Sequence, residues 1–480
     1  MNYKSVFNIL GRILIVEAGL MAVSAAVSLI YRESILSFLF AILIAAAAGA
    51  VLCVLPGKRE QIYAREGFVI VALSWVTMSA VGALPFFLSG HIPSFIDAFF
   101  ETVSGFTTTG STILTNVEVM PYGLLFWRSF THWVGGMGVL VFVLAIIPMI
   151  GTRSVHLMRA EVPGPTKGKL VPKMKSTAMI LYGIYVILTA AEVIFLVAGG
   201  MPLFDALVHS FGSAGTGGFS IKNKSIEYYG SAYIETVIGV FVILFGINFN
   251  IYFLLLIKEF KSIFKNEELR LYLCIIAVSV IIITFDIMKI FGTVGSSLRY
   301  AFFQVASIIT TTGYSSINFD LWPSLSRYIL VLLMFAGACA GSTGGGLKTS
   351  RLIILFKSIR REIRKLLHPR SVNIIEMDDK VVDESIVGGT TVYFVAYMLV
   401  LLLSVFFVSF DGYDLETTTT AVISCISNIG PGLNLVGPAG NFSIFSPGSK
   451  VLLSLVMLIG RLEIYPVLML FLPATWRRKM

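Results

Sequence analysis

Apolar residues fill this chain in long runs, not in the narrow stripes of a soluble fold, and the runs come in two lengths. The long ones, about 20 residues each, match the ~30 Å hydrocarbon core of a bilayer at 1.5 Å of rise per helical residue. They extend from Ile9 to Ile30, Ile35 to Leu55, Gly67 to Leu88, Leu124 to Ile150, Met179 to Gly199, Ala232 to Ile257, Leu271 to Phe291, Ile386 to Phe410 and Val451 to Leu472. A further one, interrupted by glycines, starts at Ser326. The pattern predicts ten spans. The short runs, Pro93 to Gly105, Pro202 to Ser213, Ser296 to Ile309 and Tyr413 to Ser427, cannot cross. They read as re-entrant helices that dip into the membrane and return.

The order of long and short is periodic. A two-span hairpin (1–60), too long and too closely followed by a second span to read as a cleaved leader, precedes four long–short–long units at 61–165, 166–262, 263–372 and 373–480. The expected fold class is therefore an all-α polytopic membrane protein with four membrane-pore-membrane repeats around one pseudo-fourfold pore. After each short run comes a stretch ending in glycine: Thr108-Thr109-Gly110, Thr216-Gly217-Gly218, Thr311-Thr312-Gly313 and Asn428-Ile429-Gly430. The glycines are separated by 108, 95 and 117 residues.

Backbone released from helix geometry inside a membrane needs partners that hydrocarbon does not supply. Glycine permits positive φ, so successive carbonyls can turn toward a common axis. Rings of carbonyls replace the hydration shell of K+ in filters of the Thr-x-Gly-Tyr-Gly type, and Thr311-Thr312-Gly313-Tyr314 matches four of those five positions. Helices dipping halfway also aim the negative ends of their dipoles at the bilayer centre. Four such loops on one chain predict a single site for a bare alkali cation. Asp97 and Asp205, each 13 residues before a filter glycine, are the expected N-terminal caps of the first two short helices.

Composition agrees with the membrane reading. Of 480 residues 56% are hydrophobic and 13% charged, with a mean hydropathy of +0.87, against about 25% charged in soluble domains. Cys53, Cys274, Cys339 and Cys425 stand singly in apolar segments without CxxC or His-rich company, which reads as buried small side chains and suggests neither a disulfide frame nor a zinc site. The net charge of +9 is explained without nucleic acid. Its Lys and Arg gather after the second span of each unit, at 151–176, 258–270, 348–370 and 477–479. By the positive-inside rule both termini and the junctions are cytoplasmic, and the filter loops enter from outside the cytoplasmic (inner) membrane.

Gly337 to Lys348 carries five glycines in twelve positions. A phosphate-binding reading fails, because Leu347 separates Gly346 from Lys348 and the context is a hydrophobic helix. Each glycine costs a helix roughly 1 kcal/mol relative to alanine, so the third unit's second span breaks in mid-membrane. The expected gate beneath the filter comprises Gly341, Gly344, Gly345, Gly346 and Lys348, held by Arg461, a lone charge inside the last span that must face a cavity or a partner. Glu463, two residues on, shares no helix face with it. No HExxH or GxSG motif nominates an intramembrane hydrolase, so no enzyme activity and no organic cofactor are expected.

Over nearly all its length the chain resembles the TrkH and KtrB family of potassium uptake proteins, relatives of the plant HKT transporters. The matching runs are Trp133-Val134-Gly135-Gly136-Met137-Gly138, the glycine-rich Ala340 to Thr349, and Asn428-Ile429-Gly430-Pro431-Gly432-Leu433. The N-terminal hairpin is closer to the TrkH branch. The resemblance implies K+ as transported ion, a homodimer, a cytosolic TrkA- or KtrA-like nucleotide-binding regulatory subunit, and an intramembrane gate loop faced by the arginine at 461. In HKT relatives serine at the first filter glycine accompanies Na+ preference, and Gly110 resembles the K+ version. The fourth loop departs most, with Asn428 and Pro431. The alternative is an H+- or Na+-coupled K+ symporter. No inverted repeat favours it.

Overall fold

The computed structural model describes residues 3–54, 64–136, 138, 174–371 and 373–476. The hairpin is made of helices Tyr3–Ile30 and Leu36–Val54. Gly11 and Gly49 let their backbones touch: a Cβ on Gly11 would lie 2.6 Å from the Gly49 oxygen, the close approach small residues give to membrane helices. At the turn, Glu33 accepts the N–H groups of Tyr122 and Gly123 at 2.7 and 3.0 Å. A carboxylate thereby caps the helix Tyr122–Gly136 and fastens the hairpin to the rest.

Four short helices follow the predicted runs closely: Phe95–Phe106, Leu203–Gly215, Val294–Ile309 and Leu415–Ser427. Their C-terminal turns are buried, whereas the outer spans expose large side chains such as Leu43, Ile187, Phe285 and Leu402. A bilayer would cover that outer surface. The expected caps need correction. Ser94, not Asp97, caps the first short helix, its hydroxyl accepting the Asp97 N–H, and the Asp97 carboxylate pairs with Lys450 at 2.7 Å. Pro202 opens the second without a side-chain cap, while Asp205 accepts the Tyr229 hydroxyl at 2.7 Å. Thr293 and Asp414 cap the third and fourth.

Ten continuous spans are not found. Among the described residues six helices are long and apolar enough to cross, and a seventh exists only if Ala232–Phe245 and Phe249–Leu256, bent by 88°, count as one. In three units the second span breaks, in the third as the glycines predict. That of the second unit breaks at 246–248, where Asn248 caps the next helix through Asn250 N. That of the third ends at Ala336 and resumes at Thr349. That of the fourth breaks between Arg461 and Tyr465, where Glu463 and Ile464 both adopt positive φ and Pro466 opens the next helix. Proline removes an N–H and clashes with the preceding turn, so the last span cannot run unbroken to Leu472. The expected end of the first unit's second span at Ile150, the basic junction 151–173 and the basic terminus 477–479 lie outside the described residues.

Candidate ion pathway

Each short helix ends in the same backbone turn. Thr108, Thr216, Thr311 and Asn428 all take left-handed φ, of 52°, 55°, 59° and 56°, and two residues later Gly110, Gly218, Gly313 and Gly430 have φ of 82°, 74°, 84° and 109°. Residues with a Cβ are strained there by about 1–2 kcal/mol, so a fourfold recurrence marks a shape the surroundings impose.

The loops touch in cyclic order. A Cβ on Gly110 would meet the Gly217 oxygen at 2.0 Å, one on Gly218 the Thr312 oxygen at 2.0 Å, and one on Gly313 the Ile429 oxygen at 1.9 Å. One on Gly430 would meet the Thr109 oxygen at 2.9 Å, closing the ring. Each glycine is thus required twice, for its φ and for the neighbouring carbonyl occupying its side-chain space. All four glycines line one cavity of ≈ 160 Å³, walled by later loop residues including Thr112, Asn223 and Asn441.

Side chains brace the ring. Thr107 and Thr109 hydroxyls lie 2.8 Å apart, as do those of Thr310 and Thr312. Asn428 donates to the Thr109 hydroxyl at 2.9 Å and to the Met457 carbonyl at 3.0 Å, joining the first and fourth loops. The Gly430 oxygen accepts from Ser111 at 3.0 Å and Ser424 at 2.7 Å. The Tyr314 oxygen accepts from Ser307 at 2.6 Å. These two oxygens are therefore engaged by protein donors.

Buried charges behind the first loop are paired. Arg128 donates to Glu101 at 2.6 Å and to the Ser220 carbonyl at 2.9 Å, and its guanidinium lies 3.5 Å over the Phe219 ring. Glu101 also accepts from Thr112 and from Ile113 N. His132 links two loops: the Phe219 N–H donates to its Nε2, and its Nδ1 stands 2.7 Å from the Gly105 carbonyl. That pair of contacts requires a proton on Nδ1 and none on Nε2. The imidazole is neutral and structural.

Below the ring lies the segment from Gly337 to Lys348. A Cβ on Gly345 would fall 2.3 Å from the Ser427 oxygen and one on Gly344 2.9 Å from the Thr310 oxygen, so the loop seats under the C-terminal ends of the third and fourth short helices. Gly345 N donates to the Thr311 hydroxyl at 2.6 Å. The loop also fills the break in the second unit: Cys339 N donates to the Gly246 carbonyl at 3.0 Å, and Phe249 N to the Gly341 carbonyl at 3.1 Å. Lys348 donates back to the Gly344 carbonyl.

Arg461 closes the helix Pro447–Arg461. Its guanidinium donates to the Thr343 carbonyl at 2.8 Å and to the Gly135 and Gly136 carbonyls at 2.6 and 3.1 Å. It therefore bridges the loop to the first unit's second span. Two partners escaped the sequence reading. Glu268 accepts Ala340 N at 2.6 Å and Ser350 N at 3.0 Å, pinning both ends of the loop. Glu463 pairs with Arg351 at 2.8 Å, across the break and away from Arg461. Nothing local in the sequence signals the distant partners of Glu268.

Among the described residues no three His, Cys, Asp or Glu side chains form a metal-holding group. What the ring presents is backbone oxygen, the donor type suited to a weakly hydrated alkali ion. The fold and this ring together define a helical membrane protein whose re-entrant loops converge on one axis. The family model for TrkH, described as a cation transport protein, matches residues 34–478. The Trk system potassium uptake protein TrkH of Salmonella typhimurium is 38% identical over 485 residues, 99% of this chain and 100% of the relative. The Trk system potassium uptake protein TrkG of Escherichia coli is 35% identical, with 87% of this chain and 86% of the relative aligned. The crystal structure of the potassium transporter TrkH from Vibrio parahaemolyticus superposes with a TM-score of 0.89 at 32% identity, covering 99% of this chain and 100% of that one. The chain belongs to the TrkH family of cation transport proteins, a family of transporters and not of enzymes.

Proposed function

We propose that this protein takes up K+ across the cytoplasmic membrane through a channel-like pore. The repeats are those at 61–165, 166–262, 263–372 and 373–480, and the ion is the cargo. The observation that carries this reading is the closed cycle of glycine-to-carbonyl contacts through Gly110, Gly218, Gly313 and Gly430. Carbonyls at Thr109, Gly217, Thr312 and Ile429 lie in that cycle, and the strained residues Thr108, Thr216, Thr311 and Asn428 set their direction. Four short helices direct their negative ends toward it.

The loop bearing Gly341, Gly344, Gly345, Gly346 and Lys348 is the gate, and Arg461 holds it seated. Its contacts with the Thr310 and Ser427 carbonyls support a position across the exit of the ring. The relatives, named as components of a Trk system, support control by a TrkA-like nucleotide-binding subunit on the cytosolic side, with the chain acting as a homodimer. Both termini are cytoplasmic in this reading. An interior-negative potential then drives entry by ~2.3 kcal/mol per charge per 100 mV.

Purified protein in lipid vesicles tests the proposal. The potential at which flux reverses is measured under K+ gradients, with and without opposing H+ or Na+ gradients. Reversal that follows K+ alone is expected. A shift with pH or Na+ gradient would replace the channel-like reading by a coupled symport.

A further inference from the structure

The four loops of the ring are not braced alike. In the first and third, side chains one and three residues before the glycine clamp the turn from within: Thr107 to Thr109, and Thr310 to Thr312, each hydroxyl pair 2.8 Å apart. The fourth has Ser427 and Ile429 at these positions, with Ser427 held 2.8 Å from the Tyr397 hydroxyl. The second has Gly215 and Gly217, and so no side chain to contribute.

Both glycine positions are filled by one residue of another unit. A Cβ on Gly217 would meet Cγ, Nδ1 and Cδ2 of His132 at 2.5–2.6 Å, and one on Gly215 would meet the His132 carbonyl oxygen at 2.3 Å. Neither glycine takes positive φ, unlike Gly218. At 217 the three nearest atoms to an added Cβ all belong to the imidazole. That ring is fully buried on the helix Tyr122–Gly136. It stacks 4.1 Å from the Phe219 ring, which also carries the Arg128 guanidinium at 3.5 Å. Its Nε2 accepts the Phe219 N–H at 3.2 Å, and its Nδ1 is tied to the Gly105 carbonyl at 2.7 Å. One flat, doubly bonded side chain therefore backs the strand from 217 to 219 and anchors it to the end of the first short helix. The Gly217 oxygen in this strand is the one packed against Gly110.

We propose that His132 is a specificity-determining positioning residue: it supplies from the first unit the brace that the second loop does not carry, and so fixes where the Gly217 carbonyl stands. The inference rests on reading the ring as the ion filter. A role in packing alone requires only a side chain of similar volume. A positioning role requires the acceptor facing Phe219 N, because a buried N–H left without one pulls its strand toward another partner, and a binding oxygen tolerates displacement of only about 0.5 Å.

The test is Rb+ uptake by full-length protein in lipid vesicles with Na+ as competitor, alongside thermal unfolding of each variant. His132→Leu keeps volume and removes the acceptor, and Na+ should compete roughly 10-fold better, the equivalent of one lost buried hydrogen bond. His132→Gln returns an acceptor near the position of Nε2 and should recover most of that discrimination. Equal Na+ competition in the Leu and Gln variants overturns the proposal. Where His132→Leu fails to fold, a second comparison decides. Gly217→Ala drives a methyl group into the imidazole of the parent and should relax discrimination there, but should add little in a His132→Ala background, where the ring is gone. The same added loss in both backgrounds overturns the brace. Gly313→Ala in the same assay separates the two readings. If it relaxes Na+ competition while the His132 variants do not, the filter stands and the brace falls; if none of them does, the filter itself falls.

Discussion

Replacing Gly313 by alanine adds one carbon atom to the most crowded point of the ring. That carbon would stand 1.9 Å from the Ile429 oxygen and 2.8 Å from Pro431 Cδ, where real Cβ contacts stay beyond 3.0 Å. The gap between 1.9 and 3.0 Å means that the third and fourth loops must separate by about 1.1 Å. A binding constellation works only when its atoms are held within about 0.5 Å, so the oxygen cannot remain in register. The backbone at φ 84° adds its own strain. Together these store about 1–3 kcal/mol, roughly 5- to 150-fold in an equilibrium, in a loop whose easiest release is to move the Ile429 oxygen. Uptake of radiolabelled Rb+ into vesicles, with Na+ as competitor, reads the result. Na+ should compete far better against the variant than against the parent. Gly412→Ala is the control, because Gly412 has φ 78° with nothing within 4 Å of its Cβ position and lies outside the ring. Parent-like competition in Gly313→Ala, with the variant folded, would refute the filter.

Three further outcomes are expected. Arg461→Gln removes the charged tie to the Thr343 carbonyl, worth about 1.5–3 kcal/mol, and should raise basal Rb+ flux with unaltered Na+ competition; unchanged flux counts against the tie as a latch. Replacing Gly344, Gly345 and Gly346 together by alanine forces the loop off the Ser427 oxygen, and should alter gating while selectivity persists; parent-like gating removes the case for a gate there. Glu101→Gln leaves Arg128 buried without its carboxylate, a loss of about 3–5 kcal/mol, so the purified variant should unfold at a lower temperature, and an unchanged thermal transition would show that Ser220 and Phe219 alone satisfy the guanidinium.

The long and short apolar runs were legible because run length alone separates crossing from dipping. The recurring Thr-Gly stretches were legible because a polar glycine inside an apolar unit has few uses. Arg461 drew attention in the sequence because a cation inside an apolar span must find acceptors. The broken second spans were missed where apolar content was allowed to outvote local punctuation. Gly246 with Asn248, and Pro466, are stop-and-start signals of the ordinary kind, but hydropathy averaged over twenty residues hides them. The seat of the Gly337–Lys348 loop could not be read at all. It depends on Glu268 lying 72 residues from Ala340 and on a cleft that exists only once the second unit has bent.

The ring is written once, along one chain. In a pore assembled from identical copies every substitution at a filter position appears on all sides, so a small chemical change is multiplied before selection can weigh it. Here each wall has its own codons. The fourth wall already carries Asn428 and Pro431 where the third carries Thr311 and Tyr314. Such a conduit can drift in discrimination by quarter steps, one face at a time, while the other three keep it working.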